Sequence, residues 1–401
     1  MKLLAIEEAR ARMLDGLAAL PAEDTPLDQA FGRGLAADLI AGRDQPPFAA
    51  SSMDGWAVRR ADAQDGPADL RIVGESAAGR GYDNRLGPGE AVRIFTGAVL
   101  PAGADWVVIQ EEAERLGERV RLGPLSDGAN NIRPAGGDFR AGDVLLRAGV
   151  RLDPWRLSLA AAAGRGGLPV ARRPTVAVLC TGEELVRPPA TPGPWQIYES
   201  ASAALCALIV AWGGEALRLK PARDDQASVI AALEGQNADL IVTVGGASVG
   251  DYDVVKPALE TLGLQLKVAS VNVRPGKPTW FGVMGDGRRV LGLPGNPASA
   301  MVCAELFLRP LVLALQGADP APPVVYARLD EALPANGRRE HLMRAALRSG
   351  EDGALTVRAF PEQDSGMVGV FARADALLRR PANAPVAPAG APVQVIRLER
   401  L

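Results

Sequence analysis

The period of hydrophobic and polar positions changes several times along the chain. Residues Ile6–Leu20 carry apolar side chains at helical spacing and stop at Pro21, which predicts an amphipathic helix. From about Ile40 to Asp138 the pattern becomes one of short strand-like runs broken by Gly, Pro and Asp. Four such runs are Trp56–Val58, Leu70–Val73, Ala91–Phe95 and Asp105–Gln110. We therefore predict a β-rich module, followed by a helix over Pro154–Gly164.

Strands and helices alternate from Pro174 to Gly317. The predicted strands are Thr175–Cys180, Asp239–Val244, Leu264–Val273, Thr279–Val283 and Val290–Leu293. The predicted helices are Ala201–Trp212, Asp225–Leu233 with Asp224 or Asp225 as its cap, one from about Asp253, and a long apolar helix after Pro297. This alternation predicts βαβ units and a doubly wound, mostly parallel sheet. Ligands bind such sheets at the carboxyl ends of the strands.

The last eighty residues alternate again around a Pro/Ala-rich stretch, as in Thr356–Phe360 and Val393–Ile396, and predict a small C-terminal β-barrel. The chain is therefore expected to be a multidomain protein of α/β plus β class. Its expected domains are a helical and linker domain over 1–41 and 139–173, an inserted β-rich domain over 42–138, an α/β domain over 174–320 and a barrel over 321–401.

Composition excludes several classes of function. A net charge of −3 without a dense basic run gives no general attraction for nucleic acid. Neither long apolar stretch predicts a membrane span, because Ala203–Trp212 is too short and Ala300–Leu315 contains two charged residues. Cys180, Cys206 and Cys303 lie far apart, which argues against a disulfide framework or thiolate zinc site and fits a reducing cytoplasm.

Two further counts constrain the chemistry. His341 is the single histidine, and we interpret it as a surface residue, so acid–base and metal chemistry must depend on other side chains. Only five of the 44 basic residues are lysines. Because arginine is so strongly preferred, a lysine such as Lys277 in a tight loop suggests a need for a compact charge.

Three motif loops follow predicted strands and therefore fall on one rim of the sheet. The first begins at Thr181. In the second, Gly245, Gly246, Ser248 and Gly250 can form a phosphate or oxyanion cradle, or merely a tight turn. Asp251 and Asp253 follow, and carboxylates beside an anion cradle suggest a divalent cation, although helix capping is the alternative for one of them.

The third loop, Gly292–Pro297, makes a sharp strand-to-helix turn with Asn296 as a polar cap or ligand. Arg274 and Lys277 lie in another stiff loop, Arg274–Pro278, which suggests an anionic ligand or a solvated turn. In the β-rich module Asp54 precedes a glycine, and such an aspartate is most often a turn residue.

Seven segments taken together resemble one family, and they occur in that family's order. They are PPFAASSMDGWAV, RIFTGAVLPAGADWVVIQEE, NIRPAGGDFRAGD, VAVLCTGEEL, VGGASVGDYD, RPGKP and GLPGNP. The family is that of the molybdopterin molybdenumtransferases, which includes MoeA and the E-domain of gephyrin. The likeness extends over nearly the whole chain and is densest between Pro46 and Pro297.

The resemblance implies an activity and a set of site residues. Adenylylated molybdopterin and molybdate would give molybdenum cofactor and AMP, assisted by a divalent cation such as Mg²⁺, whose identity stays open. Carried over by position, the active-site residues are Asp54, Thr96, Asp138, Glu184, Asp224, Asp253, Lys277, Pro294 and Pro297. Expected ligands of the cation are Glu184, Asp224 and Asp253. Substrate contacts are expected from Gly245, Gly246, Ser248, Gly250, Arg274, Pro294, Asn296 and Pro297.

The resemblance also implies partners. It predicts a homodimer in which each site lies between the α/β domain of one subunit and the β-rich domain of the other. A molybdopterin adenylyltransferase is expected upstream, and molybdoenzymes or their chaperones downstream.

The chain departs from the family pattern at several positions, and some readings stay open. Arg274 stands where lysine is usual, Cys180 where serine is usual, Ala201 where asparagine is common, and Asp364 where glycine is favoured. Three alternatives are a paralog that carries molybdopterin without inserting metal, an amidase or nucleotide hydrolase sharing only the α/β domain, and a scaffold. The choices of molybdenum or tungsten, and of Asp224 or Asp225, stay open as well.

Overall fold

The computed structural model describes residues 3–125, 128–246, 254–350 and 353–398. The chain forms two compact units. The larger unit comprises Met1–Ala37, Ala148–Asp153 and Gly167–Leu401, and the smaller unit comprises Asp38–Arg147 and Pro154–Gly166. This division does not test the four predicted domains, whose boundaries stay a prediction.

The smaller unit is built on a six-stranded, mostly antiparallel sheet, as the short strand-like runs predicted. In spatial order its strands are Trp106–Ile109, Gly55–Val58, Glu90–Ile94, Ala68–Ser76, Arg119–Leu122 and Ala113–Leu116. Two short strand pairs accompany it, Ala50–Ser51 with Ile132–Arg133 and Leu39–Ile40 with Val144–Leu146. Helical segments are Arg60–Asp62, Gln110–Glu112 and Pro154–Ala162.

Both faces of this sheet are covered near its centre. Trp56 and Val58 pack into one apolar cluster, whereas Ala57 packs into another with Val92 and Val107. Successive side chains of a strand point to opposite faces. The fully buried strand Gly55–Val58 therefore holds the residue before it, Asp54, at a fixed place.

The larger unit contains the predicted mostly parallel sheet. Its strands in spatial order are Glu215–Arg218, Thr175–Cys180, Leu240–Val244, Arg289–Leu293, Trp280–Val283 and Gln265–Val268. The first four are parallel to one another. The fifth is antiparallel to the fourth, and the sixth is antiparallel to the fifth. The central parallel strands, Thr175–Cys180 and Leu240–Val244, are nearly continuous apolar runs because helices cover both of their faces.

The two faces of the sheet bury separate cores. Leu240, Val242 and Val244 face one core, and Ile241 faces the other. The helix Ala201–Ala211 packs on the first face. On the second face pack the helices Gln226–Leu233 and Val255–Thr261. This confirms the doubly wound arrangement.

A long apolar helix also packs on the first face. It comprises Pro297–Cys303, a π-helical turn over Ala304–Leu308, and Arg309–Leu315. By length and composition Pro297–Leu315 could cross a membrane, but 94% of its most apolar stretch is buried inside the protein. It is therefore a core helix of this fold.

The C-terminal part forms the predicted barrel. Its five strands close in the order Val324–Leu329, Leu355–Ala359, Glu340–Ser349, Ala376–Arg380 and Pro392–Arg397, and the last pairs with the first. A short helix, Val368–Arg373, precedes the fourth strand of this ring. Smaller elements of the larger unit are Ile6–Leu14, Ala22–Pro26, Leu27–Gln29, Gly167–Ala171, Leu185–Val186 and Ile197–Tyr198.

Three sequence-based expectations are wrong. The first helix ends at Leu14 rather than Leu20, because Asp15 leaves the helical conformation (ψ 129°) and starts a turn over residues 14–17 in which Gly16 has φ +62°. The single strand predicted over Leu264–Val273 is two strands in different sheets, since Val273–Arg274 pairs with the barrel strand that contains His341. His341 itself is buried, and burial together with the charge of Arg274 lowers its pKa to about 4.

Candidate active site

A cleft of about 550 Å³ opens at the carboxyl ends of the parallel strands in the larger unit. Its walls come from the three loops that the sequence placed on one rim, and also from the segment 197–201, from Asp224 and from Pro278. They include Thr181, Gly182, Glu184, Asp224, Gly245, Gly246, Pro278, Pro294, Gly295, Asn296 and Pro297. Parallel strands bring these loops together because their carboxyl ends meet at the same edge of the sheet.

The floor of the cleft depends on glycine. Gly245 has φ +94°, and a Cβ there would lie 2.6 Å from the carbonyl oxygen of Thr181. Gly246 also has a positive φ, and a Cβ would collide with Val255. Beside these turns, the buried hydroxyl of Thr181 has no hydrogen-bond partner within the described part of the chain. An unpaired buried hydroxyl beside the cleft is a candidate ligand group.

Two of the acidic residues expected at the site line the cleft. Glu184 is exposed and Asp224 is half-buried, and Asp224 Oδ2 accepts a long hydrogen bond from the backbone of Glu183 at 3.4 Å. Asp225 has another task, because it caps the helix Gln226–Leu233. Its carboxylate accepts from the amide of Ser228 at 2.8 Å and from its hydroxyl at 2.7 Å, which lowers the pKa of Asp225. The geometry therefore favours Asp224 as the acid that meets a ligand.

The two cations of the stiff loop lie outside the wall of the cleft. Arg274 and Lys277 are exposed, and the loop reaches the cleft through Pro278. Gly276 fixes the shape of the loop: its φ is +116°, and a Cβ would collide with the sulfur of Cys303. The structure thus places both cations near the cleft in sequence but does not bring their side chains into its lining.

The barrel supplies a segment that sequence reasoning missed. Asn296 Nδ2 donates to Ser365 Oγ at 2.8 Å, so the turn after the last parallel strand is tied to the segment around Ser365. That segment is held by Arg344, which donates to the carbonyls of Glu362 and Asp364 at 3.3 and 3.0 Å.

Arg344 also has donor groups that are not paired within the described ranges. It is fully buried, and its Nε and Nη1 have no hydrogen-bond partner among the described residues. Burial lowers the pKa of Arg344. Its signal in the sequence was an arginine between Met343 and Ala345 in a strand whose other residues are largely apolar.

Glu199 was missed as well. It lines the cleft although its side chain is buried, and Arg218 pairs with it at 3.0 Å. The amide of Ser202 donates to its carboxylate at 2.7 Å, and the thiol of Cys180 does so at 3.5 Å. Burial, followed by the charge of this carboxylate, raises the pKa of the Cys180 thiol. Cys180 is therefore a structural thiol rather than a nucleophile.

In the smaller unit the structure brings Asp54 and Thr96 together. The amide and the hydroxyl of Thr96 both donate to Asp54 Oδ1 at 2.8 Å, and these bonds lower the pKa of Asp54. Asp138 is exposed, and its amide donates to the carbonyl of Gln45 at 2.9 Å. No contact of Asp138 with Asp54 or Thr96 is seen in the described ranges.

Three of the proposed site residues, Ser248, Gly250 and Asp253, lie outside the described residues. Within the described ranges no group of three His, Cys, Asp or Glu side chains is arranged to hold a metal ion. The proposed cation ligands Glu184 and Asp224 are described, and the third, Asp253, is not. The metal set therefore stays a prediction.

Comparison with known proteins places this geometry in a family. Residues 4–164 match the MoeA N-terminal region (domain I and II), 177–314 a probable molybdopterin binding domain, and 326–398 the MoeA C-terminal region (domain IV). The molybdopterin molybdenumtransferase of Nostoc sp. is 33% identical over 92% of this chain and 87% of its own length. The chain belongs to the molybdopterin molybdenumtransferase family. It is thus a transferase of molybdenum cofactor biosynthesis.

Further relatives support the assignment to the MoeA family. The molybdopterin molybdenumtransferase of Haemophilus influenzae is 33% identical over 94% of each chain. The solved molybdopterin biosynthesis MoeA protein of Pyrococcus horikoshii OT3 superposes with a TM-score of 0.83 at 26% identity, over 99% of this chain and 100% of that one. The agreement over full length means that all parts of the MoeA architecture are present here.

Proposed function

We propose that this MoeA-family transferase inserts molybdate into adenylylated molybdopterin and releases AMP. The observation that supports the proposal is that glycine turns and acidic side chains line the same cleft. Backbone turns at Gly245 and Gly246, with the Thr181 hydroxyl, suit the phosphates of the nucleotide. Glu184 and Asp224 would repel those phosphates unless a cation lies between them.

Magnesium fits this donor set. Glu184 and Asp224 offer hard carboxylate oxygens at the cleft, and neither is bound to an arginine or lysine among the described residues. We propose that both hold the cation, together with Asp253. When bound, the cation offsets negative charge on phosphate oxygens.

Positive charge for molybdate would come from Arg344 and from the loop that carries Arg274 and Lys277. Arg344 has two nitrogens without a hydrogen-bond partner among the described residues, and the loop with Arg274 and Lys277 borders the cleft. Arginine recognises tetrahedral oxyanions through paired N–H groups, and lysine acts as a point charge. The substrate's planar ring system would lie against Ile197 and Tyr198, which give the cleft a partly exposed apolar wall.

We further propose that the protein acts as a homodimer in the cytoplasm. The Asp54–Thr96 pair would serve the cleft of the other subunit, as the family likeness implies. A molybdopterin adenylyltransferase would supply the substrate, because the bond to AMP must be made before it can be broken. Molybdoenzymes or their chaperones would take the product.

A reconstitution experiment tests this function. Purified protein is mixed with adenylylated molybdopterin, molybdate and magnesium, and AMP and active cofactor are measured, the latter by activation of a cofactor-free molybdoenzyme. We expect AMP and cofactor in equal amounts, and neither product after chelation with EDTA. Binding of the substrate without AMP release would overturn the proposal in favour of a carrier. AMP release that needs no molybdate would indicate a nucleotide hydrolase.

A further inference from the structure

Arg93, in the smaller unit, contacts the segments that carry Asp54 and Thr96. The Arg93 guanidinium stacks over the rings of Trp56 and Phe95, at 5.3 and 4.8 Å from their centroids. It donates from Nη1 to the carbonyl of Gly55 at 3.0 Å and from Nη2 to Gln110 Oε1 at 2.9 Å. A planar guanidinium can satisfy all of these partners at once, which an ammonium group cannot.

Each of these partners adjoins the Asp54–Thr96 pair. Gly55 follows Asp54 in the chain, and Phe95 precedes Thr96. Gln110 also contacts this segment, because its backbone N–H donates to the backbone carbonyl of Asp54 at 3.0 Å. A single side chain therefore connects the three segments that determine where the carboxylate and the hydroxyl lie.

The Asp54–Thr96 pair has to be held in place, because its two hydrogen bonds require both residues to keep a definite relative position. One oxygen of Asp54 receives both hydrogens of Thr96. The other oxygen, Oδ2, has no hydrogen bond within the described part of the chain and is left for a ligand. Arg93 makes no hydrogen bond to Asp54, but its positive charge also helps to lower the pKa of that carboxyl.

We propose that Arg93 is a positioning residue of the transferase site, acting through Asp54. It holds the segments that carry Asp54 and Thr96 so that Asp54 Oδ2 points to the substrate or its cation. The inference rests on the proposed function, since it takes Asp54 to be a group that meets them.

Three variants test the inference. Arg93→Met removes both hydrogen bonds and the charge, and we expect single-turnover AMP release to slow on the order of tenfold or more, with little change in substrate affinity. Arg93→Lys keeps the charge but cannot bridge Gly55 and Gln110, so the rate should recover only in part. Arg60→Met is the matched control: it removes a similar stack, over Trp106 at 4.7 Å in the same sheet, without touching the Asp54 segments. It should leave the rate unchanged.

The pH profile provides a readout that a merely structural role would not change. Loss of the Arg93 charge should raise the pKa of Asp54, so the acidic limb of the rate profile should move to higher pH in Arg93→Met. In Arg93→Lys the limb should return toward its original position. Because the site is exposed, the shift should be measured at low salt. An unmoved limb together with an unchanged rate would overturn the inference.

A double variant separates this inference from the proposed function. If Arg93 acts through Asp54, adding Arg93→Met to Asp54→Asn should change the residual rate little, since coupled residues are not additive. Independent, multiplying losses would overturn the inference. If Asp54→Asn keeps the full rate, the proposed role of Asp54 fails instead. The inference is then judged by the carboxyl pKa of Asp54, measured by ¹³C NMR in Arg93→Met and Arg60→Met.

Discussion

Neighbouring residues of the same type can have opposite tasks in this protein. Asp224 and Asp225 differ by one position, yet one lines the cleft and the other caps a helix. A cap accepts hydrogen bonds from amides that would otherwise lack a partner, and this holds the carboxylate away from ligands. The pair therefore allows a test in which each variant is the control for the other.

Asp225→Ala should lower the free energy of unfolding by about 1 kcal/mol, because the cap of Gln226–Leu233 is lost. AMP release by the folded variant should stay near that of the parent protein. Asp224→Asn should do the reverse, with stability kept and AMP release slowed by more than about tenfold, if it helps to hold the cation. Urea unfolding and single-turnover assays measure the two effects. An active Asp224→Asn variant would remove this residue from the site.

Residue identity alone could not have separated these two acids. Both have the same charge and reach, and only the backbone at the start of the helix decides which one becomes the cap. Arg344 was missed for a related reason, since its burial depends on carbonyls of Glu362 and Asp364 that lie almost twenty residues away. By contrast, the family likeness named Asp54 and Thr96 as site residues, but nothing in the sequence predicted the hydrogen bonds between them.

At the scale of elements, the turns after the parallel strands carry the site. Thr175–Cys180 could be predicted with its observed bounds, because a strand buried on both faces is a continuous apolar run. Leu264–Val273 could not, because local periodicity does not tell which sheet a strand joins. The positive φ of Gly245 was likewise suggested by a glycine-rich loop, but its close approach to Thr181 depends on the neighbouring strand.

Gly245→Ala should therefore be more harmful than another glycine replacement with the same strain. Gly235 also has a positive φ, +70°, but a Cβ there would meet nothing within 4 Å. Gly235→Ala should cost about 1 kcal/mol of stability from backbone strain alone. Gly245→Ala should cost at least about 1 kcal/mol more, since its Cβ would meet the Thr181 carbonyl. Equal losses in thermal or urea unfolding would mean that the cleft floor adapts, and the tight approach would not be required.

At the scale of the whole molecule, the proposed homodimer makes a prediction about pairs of inactive variants. Asp54 belongs to the smaller unit and Glu184 to the larger. If they serve one site in trans, Asp54→Asn and Glu184→Gln homodimers should each be nearly inactive. In a mixed dimer of the two variants, one site contains both substitutions and the other site contains neither. About half of the parent activity should therefore return.

Two affinity tags allow the mixed dimer to be purified away from both homodimers. AMP release is then measured for the isolated species, with a mixed dimer of the parent chain and Asp54→Asn as the control. A mixed dimer that releases no AMP would contradict the trans arrangement. A protein that stays monomeric in light scattering at micromolar concentration would contradict the dimer itself.

Segments of the two units alternate along the chain, and this affects how the protein folds during its synthesis on the ribosome. The helix Ile6–Leu14 buries Ile6, Ala9 and Met13 in a core whose other members extend to Ile396. At ~5–20 residues per second, synthesis of the intervening stretch of about 380 residues takes roughly 20–75 s. During that time the segments of the smaller unit, complete at Gly166, can already fold. The helix Ile6–Leu14 is thus synthesised long before most of its packing partners, and its apolar face is one that a nascent-chain chaperone would meet.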